Sequence, residues 1–129
     1  MQLFDLFLGC FAGKTVYSGV TFASMVGLFT AQRPKALTVS GNERDTGTVW
    51  ENVFEAIFNK NAVPVSFLMR QSVSRGLDFN GAVKLLSSTE IIAAIYFIIG
   101  GVEAGQGAVI TRDRPKAADI WRLNAAKGR

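Results

Sequence analysis

Histidine is missing from all 129 residues, which removes the commonest catalytic base. Neither a Ser-His-Asp nor a Cys-His arrangement can be assembled within this chain. Cysteine occurs once, as Cys10, so no intrachain disulfide forms and no thiolate cluster can hold zinc. Any catalysis by these residues would rest on carboxylates, an amine or a thiol. Charge is sparse too, at 19% of residues against 49% hydrophobic. Long apolar runs are absent. The richest, Ile91 to Gly101, falls short of the roughly 18 residues that a spanning helix needs, and its β-branched content reads as a buried strand. Gly100, Gly101, Gly105 and Gly107 lack the strand-to-helix setting of a phosphate loop and read as turns between strands.

What remains is an apolar chain of one-domain size. Its mean hydropathy of +0.25 is high for a soluble protein of this length. Such excess apolar surface points to a lipid-like ligand, a partner subunit, or a piece of a larger fold. The net charge of +4 and pI near 9.6 are moderate. Basic residues gather near the end as Arg112, Arg114, Lys116, Arg122, Lys127 and Arg129. They alternate with Asp113 and Asp119 in a strand–turn–strand pattern, so they read as a solvated hairpin and not as a nucleic-acid surface.

Hydrophobic periodicity predicts mixed elements. Strands are expected at Thr15 to Phe22, Met25 to Gln32 and Leu37 to Ser40, with Arg33-Pro34-Lys35 turning between the last two. Helices are expected at Thr48 to Asn59, Pro64 to Arg75, and after Asp78, where Phe79, Ala82, Val83 and Leu86 share a face. Three more strands follow: Ile92 to Gly100, Gly107 to Arg112 and Asp119 to Leu123. The last two form a hairpin in which Ile110 and Ile120 are the apolar members. Strands in runs and helices in one block favour an α+β fold, with antiparallel sheets and a block of three helices on one face.

The segment Thr38-Val-Ser-Gly-Asn-Glu-Arg-Asp45 is the most informative stretch. It begins as a strand, is expected to break at Gly41, and delivers Asn42, Glu43, Arg44 and Asp45 to a strand end, where active sites are often built. A helix signal follows at once: Thr48 and Glu51 stand in capping-box spacing before Trp50, Val53, Phe54, Ile57 and Phe58. On local pattern, a rigidly mounted functional turn and a solvated Asx-type loop both remain open.

With these residues placed, four separated motifs acquire a common meaning. Thr38 to Asn52 (TVSGNERDTGTVWEN), Pro64 to Arg70 (PVSFLMR), Tyr96 to Gly101 (YFIIGG) and Val109 to Leu123 (VITRDRPKAADIWRL) resemble, in order, the N-acylethanolamine acid amidase and acid ceramidase family. The match runs from about Lys14 to Gly128. It divides the chain into an unmatched segment, 1–13, and a partial catalytic (β-subunit) domain, 14–129.

The resemblance implies a partial αββα sandwich of the N-terminal-nucleophile hydrolase type. It also implies hydrolysis of a lipid N-acyl amide, such as an N-acylethanolamine or ceramide, by a cysteine whose own α-amino group is the base. No cofactor or metal is implied. The expected partners are the N-acyl lipid and the remaining segments or α-subunit of an amidase heterodimer, with a membrane surface left open. Asp5 and the lack of a basic stretch within Met1 to Ala12 argue against a signal peptide, so a lysosomal address is implied by the family alone.

Residue by residue, the resemblance assigns Glu43, with Asn42 beside it, to the lining of the site, and Phe22 and Phe29 to an acyl-chain channel. Ordinary core packing is the competing account of both phenylalanines. Asn42 follows the ceramidase form, where the amidase form has aspartate. The nucleophile itself is not expected here. Cys10 lies in Leu-Gly-Cys-Phe-Ala, lacks the family's following threonine, and has Val26 and Phe29 where the family's arginine and aspartate would fall. The chain therefore reads as a middle section of a catalytic subunit, inactive alone. The alternative is a non-catalytic fragment that binds a partner subunit or a lipid.

Overall fold

The computed structural model describes residues 4–23, 25–44 and 59–123. Its frame is one seven-stranded sheet in which every neighbour is also the next strand in sequence. The strands are β1 (Phe4–Phe11), β2 (Lys14–Phe22), β3 (Thr30–Arg33), β4 (Leu37–Glu43), β5 (Ile95–Gly100), β6 (Gly107–Arg112) and β7 (Ala117–Arg122). All six pairings are antiparallel. Between β4 and β5 the chain leaves the sheet to form α1 (Val65–Ser74) and α2 (Phe79–Ser88). The α+β class and its antiparallel sheet are therefore as the periodicity predicts. Two helices are present among the described residues, and the helix expected over Thr48 to Asn59 falls almost entirely outside them.

The alternation of each strand decides what the sheet buries. Ala31, Leu37, Val39, Ile95, Phe97, Ile99, Ala108 and Ile110 face the helices and are buried. The helices meet them with Leu68, Met69 and Val73 from α1, and Phe79, Ala82, Val83 and Leu86 from α2. Ile110 pairs with Ile120 across β6 and β7, as the hairpin pattern predicts.

Each helix is held at an end by a named group. The Asp78 carboxylate accepts from the Gly81 N–H at 2.7 Å and starts α2. Arg33, reaching from β3, donates to the Val73 carbonyl at 2.9 Å and caps the last turn of α1. Arg112 does the same for α2. It is wholly buried and donates to the carbonyls of Ser87, Thr89 and Arg114. The reading of Arg112 as part of a solvated hairpin is thus corrected. A register shift between Thr111 and Arg112 lets the chain turn, and strand alternation puts the Arg112 side chain beneath the helices. Burial lowers its pKa, opposed in part by the nearby Asp113.

Several strand boundaries also differ: β3 runs to Arg33, β4 to Glu43, and β7 spans Ala117–Arg122 in place of Asp119 to Leu123. β1 occupies residues assigned to no element, and forms a hairpin with β2 through Ala12 (φ 48°) and Gly13 (φ 75°). Residues 25–29 form a loop where a strand was expected. Gly27 takes φ 114° there, the Leu28 N–H donates to the Ser66 carbonyl at 3.0 Å, and the Ser66 hydroxyl donates to the Val26 carbonyl at 3.1 Å. Those bonds tie the loop to α1, and Phe29 at its end still bonds to the flanking strands, donating to the Val20 carbonyl at 3.1 Å and accepting from Gly41 at 3.0 Å. β5 begins at Ile95 and not at Ile92, and Ile91 before it makes an isolated parallel bridge to Val63.

The opposite face of the sheet carries no covering layer among the described residues. Val20, Phe22, Ile98, Val109, Trp121 and Leu123 are exposed on it. Between the last four lies a groove of about 410 Å³, continued by Gly107 and Ala108. No described helix is long and apolar enough to cross a membrane.

Candidate active site

One end of the sheet gathers the singled-out residues. β2 ends there with Phe22, β3 starts there with Thr30, and β4 ends there with Glu43, beside the start of β5 and the end of β6. Gly41 does not break β4, as the local pattern suggested. It donates to the Phe29 carbonyl at 3.0 Å, and the strand runs on to Glu43. Its missing side chain serves packing. A Cβ at Gly41 would stand 2.9 Å from Met69 Sδ and 3.0 Å from Ile95 Cδ1, so glycine lets α1 approach the strand.

That bond puts Phe29 one position from Asn42. Phe22 then stacks edge-on against Phe29, with ring centroids 5.0 Å apart and planes at 71°. Phe22 is 38% exposed and Phe29 is half-buried, so the pair sits at the rim of the core, not inside it. Asn42 and Glu43 are both exposed. Register separates them: Asn42 lies opposite Tyr96 on the bare face, whereas Glu43 lies opposite Ile95, in the row that continues to Arg112. The two candidates thus address opposite sides of one strand end.

Arg44, next in line, was not singled out as functional. Its guanidinium donates to Asp113 Oδ1 at 2.5 Å and to the Arg112 carbonyl at 3.2 Å, and stands 5.9 Å from the Tyr96 ring centroid. The strand end is thereby fastened to the β6–β7 turn. A weak signal for this was present in sequence. Arg44 stands two residues after Asn42 on an alternating strand, and Arg-Asp-Arg-Pro supplies a carboxylate in a turn. Neither indicates which charges meet.

Cys10 lies elsewhere. It pairs with Thr15 at the β1–β2 turn, its Sγ 3.8 Å from Thr15 Oγ1. Phe22 is at the other end of β2, about 23 Å away at 3.3 Å per residue. Within this fold its exposed thiol cannot reach the Asn42–Glu43 end.

An antiparallel sheet with helices on one side, and a polar strand end flanked by aromatic side chains, gives an α+β scaffold with one candidate site at a sheet end. Comparison with known proteins narrows the class. The chain is 45% identical over 116 residues to the N-acylethanolamine-hydrolyzing acid amidase of Cavia porcellus, covering 90% of this chain and 32% of that protein. It is 37% identical over 118 residues to the acid ceramidase of Pan troglodytes, covering 90% of this chain and 30% of that protein. In three dimensions it matches the Caenorhabditis elegans N-acylethanolamine-hydrolyzing acid amidase ortholog with a TM-score of 0.83 and 32% identity, over 97% of this chain and 53% of that one. No family profile matches the chain. By sequence and fold the chain is a homologue of part of the N-acylethanolamine acid amidases and acid ceramidases. It spans about a third of the length of these curated relatives.

Proposed function

We propose that this chain is the portion of a lipid N-acyl amide hydrolase that carries part of the site lining and, with Phe22 and Phe29, part of an acyl channel. The observation that supports it is location at one sheet end: the Gly41–Phe29 bond joins the loop carrying the edge-stacked phenylalanine pair to the strand that ends in Asn42 and Glu43, which face opposite sides of it. In this reading residues 14–129 belong to the catalytic domain, and the sheet is half of an αββα sandwich of the N-terminal-nucleophile type. The bare apolar face meets a second sheet contributed by the remaining segments or the α-subunit.

The chemistry would follow from an N-terminal cysteine borne outside this chain. Its α-amino group takes the thiol proton, and the thiolate attacks the amide carbonyl carbon. The C–N bond breaks as the amine leaves with that proton. Water then hydrolyses the thioester, releasing the fatty acid and restoring the thiol. Substrates would be fatty acid amides such as N-palmitoylethanolamine or ceramide, in a lysosomal setting. Glu43, with Asn42 beside it on the other side of the strand, would position the amide near the attacked carbonyl, and no cofactor is needed.

A second reading, a non-catalytic piece that binds a partner subunit or lipid, draws on the same bare face. One experiment separates them. This chain is substituted for the matching segment of the Cavia porcellus amidase, and hydrolysis of N-palmitoylethanolamine is assayed. Processed, active chimera is expected. A folded, processed chimera without turnover would sink the hydrolase reading and favour the binding one.

A further inference from the structure

Three features outside the proposed chemistry stand out. These are the Trp121 groove, the buried Arg112, and the contacts of Arg44. The groove lies on the face already assigned to a second sheet, and Arg112 is occupied in closing α2. Arg44 carries more.

Arg44 directly follows Glu43 and lies two positions from Asn42, so whatever fixes its backbone fixes theirs. Three groups hold its guanidinium, and through the side chain restrain the strand end; all belong to β5, β6 or the turn after β6. They are the Asp113 carboxylate, the Arg112 carbonyl and the Tyr96 ring. Tyr96 is also the residue opposite Asn42, so the guanidinium lies over the ring that borders the Asn42 side chain. Asp113 is held in turn by its own N–H, which donates to the Lys116 carbonyl at 3.1 Å. The Arg44 side chain is 22% exposed and that of Asp113 55%. An ion pair so placed adds little to global stability, yet it joins two strands at the point where the candidate residues emerge. One guanidinium nitrogen, Nη1, makes both the charge contact and the carbonyl contact, while the planar group as a whole lies near the Tyr96 ring, a stacking that an ammonium reproduces less well.

We infer that Arg44 is a positioning residue for the proposed site: with Asp113 and Tyr96 it sets the placement of Asn42 and Glu43. This rests on the site-lining reading of those two residues. The test uses the chimera described above, with Arg44→Met, Arg44→Lys and Asp113→Asn. For each, kcat and KM for N-palmitoylethanolamine are measured beside the thermal midpoint. Expected are a fall in kcat of about tenfold for Arg44→Met, a smaller fall for Asp113→Asn, and an intermediate value for Arg44→Lys, which keeps the charge but loses the planar group beside Tyr96. KM and the thermal midpoint stay near those of the parent. An active chimera whose kcat is unmoved by Arg44→Met, or variants that lose activity only in step with the midpoint, overturns the positioning role alone. A folded, processed parent chimera without turnover overturns the site reading and the positioning role with it.

Discussion

The Gly41 N–H donates to the carbonyl of Phe29 at 3.0 Å, and this contact joins the aromatic part of the candidate site to its polar part. Phe29 belongs to a loop fastened to α1 through Ser66, while Gly41 belongs to the strand that delivers Asn42 and Glu43. The helix, the loop and the strand end are therefore one mechanical unit. Met69 of α1 packs where a Gly41 side chain would stand, so the same glycine serves the hydrogen bond and the helix contact.

That double service makes Gly41 intolerant of growth. In Gly41→Ala the new Cβ would meet Met69 Sδ and Ile95 Cδ1 at or below 3.0 Å. Both are ends of flexible side chains, but both residues are buried. The expected loss is about 1 kcal/mol for alanine and about 2–3 kcal/mol for valine, read from urea unfolding midpoints. An alanine variant of unchanged midpoint would mean that the helix can retreat freely.

Burial of Arg112 gives a second expectation. Its side chain is wholly buried and donates to the Ser87, Thr89 and Arg114 carbonyls. Arg112→Met keeps the apolar stem and strands those carbonyls. A loss of about 3 kcal/mol is expected, with a smaller loss for Arg112→Lys, which retains a donor but not the fork. Hydrogen exchange should report the damage in the last turn of α2 before the sheet. Equal stability of the methionine variant would show that water replaces the guanidinium.

Glu43 offers a kinetic test. In the longer, processed context, Glu43→Gln should lower kcat for amide hydrolysis by about tenfold or more, leaving fold and self-cleavage intact. The exposed carboxylate is not needed for packing. Unchanged kcat and KM would return Asn42 to Asp45 to the solvated-turn reading.

Much of this architecture was legible because it is local. Asp78 caps α2 through Gly81, as its spacing suggests, and Phe79, Ala82, Val83 and Leu86 are all buried on one face. The Ile110–Ile120 pairing follows from turn chemistry at Asp113 to Lys116. The failures needed distant partners. Residues 25–29 have the apolar content of a strand, but the bonds with Ser66 lie 38 and 40 positions along the chain. β1 is hard to see because Phe-Leu-Gly-Cys-Phe lacks polar alternation, and its turn rests on Ala12 in a positive-φ conformation that alanine seldom takes. Arg112 looks like a solvent cation in any list of charges, and only the alternation that it shares with Ala108 and Ile110 turns it inward. At the site, composition could suggest a polar strand end. It could not put Asn42 and Glu43 on opposite sides of the strand, or join Arg44 to Asp113.

The chain alone should not hydrolyse N-palmitoylethanolamine or ceramide. Cys10 is at the far end of β2 from Asn42 and Glu43, with Thr15 as its neighbour, so thiol and candidate lining cannot act on one carbonyl. Release of fatty acid should match the buffer blank and be insensitive to Cys10→Ala. Turnover abolished by that substitution would make Cys10 the nucleophile and move the site to the β1–β2 turn.

Association is the remaining expectation, and it comes from the bare side of the sheet. Trp121 is 73% exposed and Leu123 58% exposed, beside Ile98 and Val109 across β5 to β7. β7 is also the last strand in the described sheet order, so this apolar surface continues to an edge with unpaired backbone groups. Sheet faces of this kind gain by stacking, and edges gain by pairing, so the purified chain should sediment as oligomers whose size rises with concentration. Trp121→Lys combined with Leu123→Asn removes the two most exposed apolar side chains of this groove while leaving the helix-packed face untouched, and should shift the distribution towards monomer. The unfolding midpoint should change by less than about 1 kcal/mol, because both side chains are largely exposed among the described residues. A parent protein that remains a monodisperse monomer at high concentration would refute the face as an unfilled interface and leave its apolar residues without a partner to explain them.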